Sequence, residues 1–229
     1  MPARNSVKQF LPDSYYHLYN RGVEKRNIFL DEQDYAVFLS YLKNYLLPKD
    51  LPNLKSIAAD PEVGWREREK ALKLLRMNNF NGNLELIAYC LMPNHFHLLI
   101  KQKEANIIDI FTNSLLTRYS MYFNKKYKRV GTLFQDVYKA VLVSTDEQLL
   151  HLTRYLHRNP ISQGVPLRSY RYSSYPIYLD YKSFEWIKPT EILSFFASTG
   201  FNSYQNFVED SNVEEESVYH IFKLTLDEE

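Results

Sequence analysis

With 229 residues, 45% hydrophobic and 24% charged, the chain can bury a sizeable core and is too apolar for a disordered polymer. Its formal charge of +1 excludes binding of polyanions by bulk charge, but the balance is uneven: Lys101 to Ala140 holds eight Lys/Arg against three acids, and Phe201 to Glu229 eight acids against one lysine. The single cysteine, Cys90, excludes an internal disulfide, and no signal-peptide core or apolar run of ~18–20 residues is found, so the expectation is a cytoplasmic protein with no membrane span.

The first element is SYYHLYNRG, residues 14–22, an alternating aromatic stretch that ends at Gly22 and predicts a strand. Asp31 then precedes EQDYAVFLSYLKNYLL, whose apolar residues recur at helical spacing, so Asp31 is expected to cap that helix. Residues 47–82 read as an insertion: a segment broken by three prolines, then the charged helical pattern WREREKALKLLRM. LELIAYCLMP, 84–93, is almost continuously apolar and suits a central strand covered on both faces, with Cys90 as a buried structural thiol. Pro93-Asn94 supplies a turn into an antiparallel strand, HFHLLIKQ.

A long amphipathic helix is expected over 106–127, a strand over 137–144 and a helix over 146–160 that stops at Asn159-Pro160. The pattern then weakens into a tyrosine-rich loop, with a short helical tail from about Pro189. The order β-α-(insertion)-β-β-α-β-α contains the split βαβ pattern of a ferredoxin-like α+β sheet with helices on one face. This divides the chain into a domain over 1–180 and a helical, acidic extension over 181–229.

His95 and His97 are two apart on a strand and so share a face, while Phe96 takes the other. Two imidazoles can share a divalent transition metal at ~2.0–2.2 Å, and a third ligand must come from another element. Such a pair alone is more often a hydrogen-bonded core feature. The last helix adds the missing chemistry, since Tyr155 and Asn159 lie one turn apart, a phenol oxygen beside an amide oxygen able to bind a metal. A phenol, with pKa ~10, attacks phosphorus only if activated or well aimed, which a metal at the phosphate would achieve. Tyr119 and Tyr122 compete for this role but lack an amide four residues on, and His17 reads as structural or substrate-facing. Lys125, Lys126, Lys128 and Arg129 around Tyr127 offer a basic-aromatic surface for nucleic acid, or a solvated helix end; Asn20 and Arg21 are weaker candidates.

Three segments, LIAYCLMPNHFHLLI, TRYSMYFNKKYKRVGTLFQDVYKAVLV and LTRYLHRNPI, together with the opening HLYNRGVEKRNIFLDEQDYAVFL, resemble the single-tyrosine HUH (IS200-like) transposases. The resemblance is closest to the branch of REP-associated tyrosine transposases and spans roughly residues 14–180. It implies an HUH endonuclease fold acting on single-stranded, often hairpin, DNA through a 5′-phosphotyrosine, with Mg²⁺ or Mn²⁺. By position, His95 and His97 match the histidines of that motif, Tyr155 the nucleophile and Asn159 the polar residue completing the metal site. The long insertion and near-neutral charge depart from the family's pattern. A monomer and a homodimer are both compatible with the sequence. Two other functions stay open: a nucleic-acid-binding protein that keeps the fold without cutting, and a water-using metal-dependent hydrolase.

Overall fold

Alternation in SYYHLYNR produces strand β1 (Ser14–Arg21), because each second side chain enters one of two separate cores. This computed structural model describes residues 10–210; the acids of 211–229, with His220, lie outside the described residues. β2 (Leu84–Met92), β3 (His95–Gln102) and β4 (Lys139–Val143) complete an antiparallel sheet in the order β2-β3-β1-β4. That order is the ferredoxin-like one.

Helix α1 (Glu32–Leu46) starts at Asp31, whose side chain accepts from the Asp34 N–H as expected for a cap. With α4 (Ile107–Lys126) it covers one face of the sheet: Phe38, Leu42, Phe111, Leu115 and Tyr119 pack on Leu18, Phe96, Leu98 and Ile100. The opposite face is covered as well. Helix α5 (Asp146–Arg158) sets Leu149, Leu152 and Leu156 against Ile87, Ala88 and Leu99, so the ferredoxin-like unit is sandwiched between two helical layers.

The apolar run of β2 predicts a central strand, yet β2 ends the hydrogen-bonding order. Its outer edge is instead paired by later chain: Leu91 N–H donates to Tyr172 O, Ser174 N–H to Tyr89 O and Lys188 N–H to Leu86 O, each 2.9 Å. This covers the exposed edge that an apolar strand would otherwise present to other chains. The insertion holds two helices where one was expected, α2 (Leu51–Ala59) and α3 (Trp65–Arg76). Pro52 does not break α2 because it stands in the first turn, where its missing N–H has no helical partner, and Asp50 caps the start.

Beyond α5 come the short helices α6 (Tyr175–Tyr178), α7 (Thr190–Leu193) and α8 (Tyr204–Glu209). Tyr178, Ile192, Tyr204 and Val208 join the α5 core, and Trp186 and Ile187 join the other. Among the described residues no helix is long and apolar enough to cross a membrane.

Candidate active site

The turn before β3 is held from outside. Gly22 N–H donates to Asn94 O at 2.8 Å, and the N–H groups of Ile28 and Phe29 both donate to Pro93 O, at 2.7 and 3.0 Å. A side chain at position 22 would not fit, because a Cβ there would lie 2.2 Å from Arg26 O. From this turn β3 projects His95, His97 and Leu99 to the α5 face, and Phe96 to the α1/α4 core. Across the sheet His97 is paired with Tyr19 and Cys90, and His95 with Arg21 and Met92.

His95 Nδ1 lies 2.6 Å from Asn94 Oδ1, while Asn94 Nδ2 donates to Lys25 O at 3.3 Å. The second contact fixes which end of the amide is oxygen, so Nδ1 of His95 carries the proton and Nε2 presents its lone pair. That Nε2 is 3.4 Å from Asn159 Oδ1. With the Asn159 oxygen turned inward the two are acceptors that could share a cation, each at the ~2.0–2.2 Å of a metal–ligand bond, and Asn159 Nδ2 is left buried without a hydrogen-bond partner; the turned amide would instead donate to His95 Nε2. Buried His97 Nε2 has no hydrogen-bond partner, which fits a third donor to the same ion. Among the described residues no group of three or more His, Cys, Asp or Glu gathers as a metal cluster; the donors that could hold an ion at this site are two imidazoles and one amide.

Helix α5 starts at Thr145, whose hydroxyl accepts from Gln148 N–H, and its leucines seat it on the sheet. Asn159 keeps helical backbone angles, with its N–H on Tyr155 O, before the chain turns into a 3-10 segment over Asn159–Gln163. The turn therefore continues past the expected stop, and the spacing that aligns Tyr155 with Asn159 survives. The Tyr155 ring stands edge-on to His97 at 5.4 Å between centroids, and to His17 at 6.3 Å. Tyr155 and His95 are half-buried, so solvent reaches the site from their side.

The helix is clasped from behind. Arg154 donates to the carbonyls of Phe207 (2.7 Å) and Asp210 (2.6 Å), and Arg158 to Val208 O at 2.8 Å. His157 bridges Tyr204 Oη and Ser174 Oγ, both at 2.7 Å.

Burial pushes His97 well below the ordinary imidazole range, and positive charge on His95, His17 or Arg21 would add to that. Burial alone brings His17 down to about 3. Both rings are neutral at pH 7, the state a metal ligand requires. Burial also raises the Cys90 thiol, and its Sγ contacts Met92 Sδ at 3.6 Å, in keeping with a structural role.

The structure brings His95, His97, Tyr155 and Asn159 together, and Arg21 shares their face through its pairing with His95. Asn20 does not join them. It is paired with Phe96 on the other face, where its Oδ1 accepts from Arg21 N–H. Lys126 is held by Asp31 (2.7 Å) and buried Asp34 (2.8 Å), and Arg129 donates to Asn124 Oδ1 at 2.9 Å. Of that basic group Lys125 and Lys128 are exposed. Tyr119 and Tyr122 sit with α1, donating to Ile28 O (2.6 Å) and Asp34 Oδ1 (2.9 Å), away from the histidine face. Sequence reasoning gave Asn94 a place in the turn but none beside His95, and gave no role to Lys139, whose Nζ is 5.6 Å from the centroid of the Tyr19 ring. It also missed the contact between His17 and His97. Alternation along β1 puts residues 17, 19 and 21 on one face, but which face, and opposite what, depends on register.

Residues 64–159 match the family model described as "Transposase IS200 like", a span running from the start of α3 to Asn159. Among solved structures, the chain is similar to a REP-associated tyrosine transposase bound to a REP hairpin, at 10% identity. The alignment covers 87% of this chain and 95% of that one, with a TM-score of 0.50. A transposase candidate from Deinococcus radiodurans R1 is similar at 18% identity over 68% of this chain and 94% of that one, with a TM-score of 0.28. No curated protein matches the sequence. The family match covers α3, β2, β3, α4, β4 and α5, under half of the chain, and the likeness at a TM-score of 0.50 is a likeness of fold.

Proposed function

We propose that this chain is a metal-dependent endonuclease and strand transferase for single-stranded, hairpin-forming DNA, working in the cytoplasm through a 5′-phosphotyrosine at Tyr155. The observation that carries the reading is the convergence of His95 Nε2 and Asn159 Oδ1 at 3.4 Å, with Tyr155 one turn before Asn159 and edge-on to His97. His95, His97 and Asn159 would hold a Mg²⁺ or Mn²⁺ ion, which supplies polarisation of the scissile phosphate and neutralises charge developing on it.

The chain's own part is placement. Helix α5, seated by its leucines and clasped by Arg154, His157 and Arg158, holds the phenol in one place beside the histidines. Such fixing removes much of the entropic cost of bringing nucleophile and phosphate together. Tyr155 Oη bonds to phosphorus, the bond from phosphorus to the 3′-oxygen breaks, and the phenol proton is balanced by the one the leaving oxygen gains. The ester conserves the energy of the phosphodiester, so a second 3′-hydroxyl can reverse the step and join strands without ATP. Arg21, on the same face, and exposed Lys125 and Lys128 are candidates for backbone contact. All four central residues lie before residue 180. Residues 1–180 would then carry the chemistry, with the extension bracing the Tyr155 helix.

The test is the polarity of cleavage on hairpin oligonucleotides end-labelled on either side. A 5′-phosphotyrosine retains the 3′-labelled fragment on the protein and releases the 5′-labelled one with a free 3′-hydroxyl. Binding without cleavage in Mg²⁺ and Mn²⁺ would favour a silent DNA-binding protein, and release of both fragments a water-using hydrolase.

A further inference from the structure

His17 has no place in the chemistry described so far. It stands in the middle of β1 on the histidine face, wholly buried, with Nε2 2.9 Å from His97 Nδ1 and the two rings near parallel. Tyr19 and Tyr155 pack around the pair.

Two neutral imidazoles share two ring protons among four nitrogens. One proton must lie in the contact, because two lone pairs, or two N–H groups, at 2.9 Å would repel. The other must then sit on one of the outer nitrogens, His17 Nδ1 or His97 Nε2. Those are two of the buried atoms that lack a partner. Only two arrangements remain. In one, His17 Nε2–H donates to His97 Nδ1, and His97 Nε2 carries its own proton. In the other, His97 Nδ1–H donates to His17 Nε2, and His97 Nε2 offers a lone pair.

We propose that His17 is the positioning residue of the metal site: by accepting the His97 Nδ1 proton it presents the Nε2 lone pair of His97 to the ion. The proposal rests on the reading of His97 as a ligand given above. Passing from one arrangement to the other moves the spare proton from His97 Nε2 to His17 Nδ1, so the pair stays neutral while the ligand atom is unmasked. Without the acceptor, His97 Nδ1–H would be buried unpaired, and the ring would favour keeping its proton on Nε2, where it competes with the ion.

The experiment compares Mn²⁺ binding, followed by electron paramagnetic resonance of the free ion, in the full chain and in His17→Phe and His17→Gln. Phenylalanine keeps a ring of similar size and removes the acceptor; glutamine retains an amide oxygen. The expected result is a loss of roughly 10–100-fold in Mn²⁺ affinity for His17→Phe, with substantial recovery in His17→Gln. Long-range ¹⁵N NMR of the wild type loaded with diamagnetic Mg²⁺ should find His97 protonated at Nδ1 and bare at Nε2, and it decides the matter if His17→Phe does not fold. Wild-type affinity in folded His17→Phe would overturn the positioning role alone; a proton on Nε2 of His97 in the loaded protein would overturn the reading of His97 as a ligand, and the positioning role with it. A wild type that binds neither ion would overturn the metal reading first, and the positioning role with it.

Discussion

Replacing His157 with leucine removes the residue that ties the Tyr155 helix to two other parts of the chain. Tyr204 Oη–H donates to Nδ1, and Nε2–H donates to Ser174 Oγ, each at 2.7 Å in a fully buried setting. Ser174 also accepts from Tyr89 N–H at 2.9 Å and donates to Tyr89 O at 3.2 Å, so it keeps partners when the imidazole is gone. Tyr204 loses its acceptor at Nδ1. Leaving a buried donor unpaired costs about 1–3 kcal/mol, and each lost hydrogen bond contributes about 1 kcal/mol net. Leucine has a volume close to that of histidine, so the cavity cost is small and the total is roughly 2–4 kcal/mol. For a chain of this size that corresponds to a melting temperature about 5–15 °C lower. Thermal unfolding by circular dichroism reads it. The double variant His157→Leu/Tyr204→Phe removes both halves of one pair and should recover part of the loss. A melting temperature unchanged in His157→Leu, or a double variant whose losses simply add, would refute the assignment of this bridge.

Acid should weaken the fold before its carboxylates titrate. Burial holds His157 at about 3, below the ordinary 6.5, so between those values the unfolded chain binds the extra proton; the contribution is complete above pH 6.5 and falls by up to ~1.4 kcal/mol per pH unit on acidification. Urea unfolding of the metal-free protein from pH 7.5 to 4 tests this, and a flat profile would count against it. Gly22→Ala forces a Cβ against Arg26 O and should cost about 1–3 kcal/mol, with weakened Mn²⁺ binding because the same loop holds the turn before His95. Lys126→Ala should lower the melting temperature by breaking the contacts with Asp31 and Asp34. Lys125→Ala and Lys128→Ala should shift stability by no more than about 0.5 kcal/mol while making single-strand binding less salt-dependent, as filter binding across a salt series would show.

The strands, the Asp31 cap and the helix carrying Tyr155 were legible because each depends on local periodicity and capping chemistry. The placement of His95 and His97 on one face followed from alternation alone, and the partnership of Tyr155 with Asn159 from helical spacing. What escaped depended on pairing between distant segments. The apolar run of β2 says that both faces are covered, but not that its edge is capped by Tyr172, Ser174 and Lys188, far along the chain. Asn20 and Arg21 are neighbours in sequence and face opposite ways, so only the register against β3 separates them. The cations after α4 read alike, whereas Asp31 and Asp34, more than 90 residues earlier, draw Lys126 into structure. His17 showed no local sign of its role, because its partner is 80 residues away.

The most direct measurement of the central claim is the mass of the protein after reaction with a hairpin oligonucleotide and Mn²⁺, followed by peptide mapping of any adduct. The account predicts a covalent nucleotide on Tyr155, absent from Tyr155→Phe and from a His95→Ala/His97→Ala double variant. An adduct that survives Tyr155→Phe, or maps to any other residue, would contradict it.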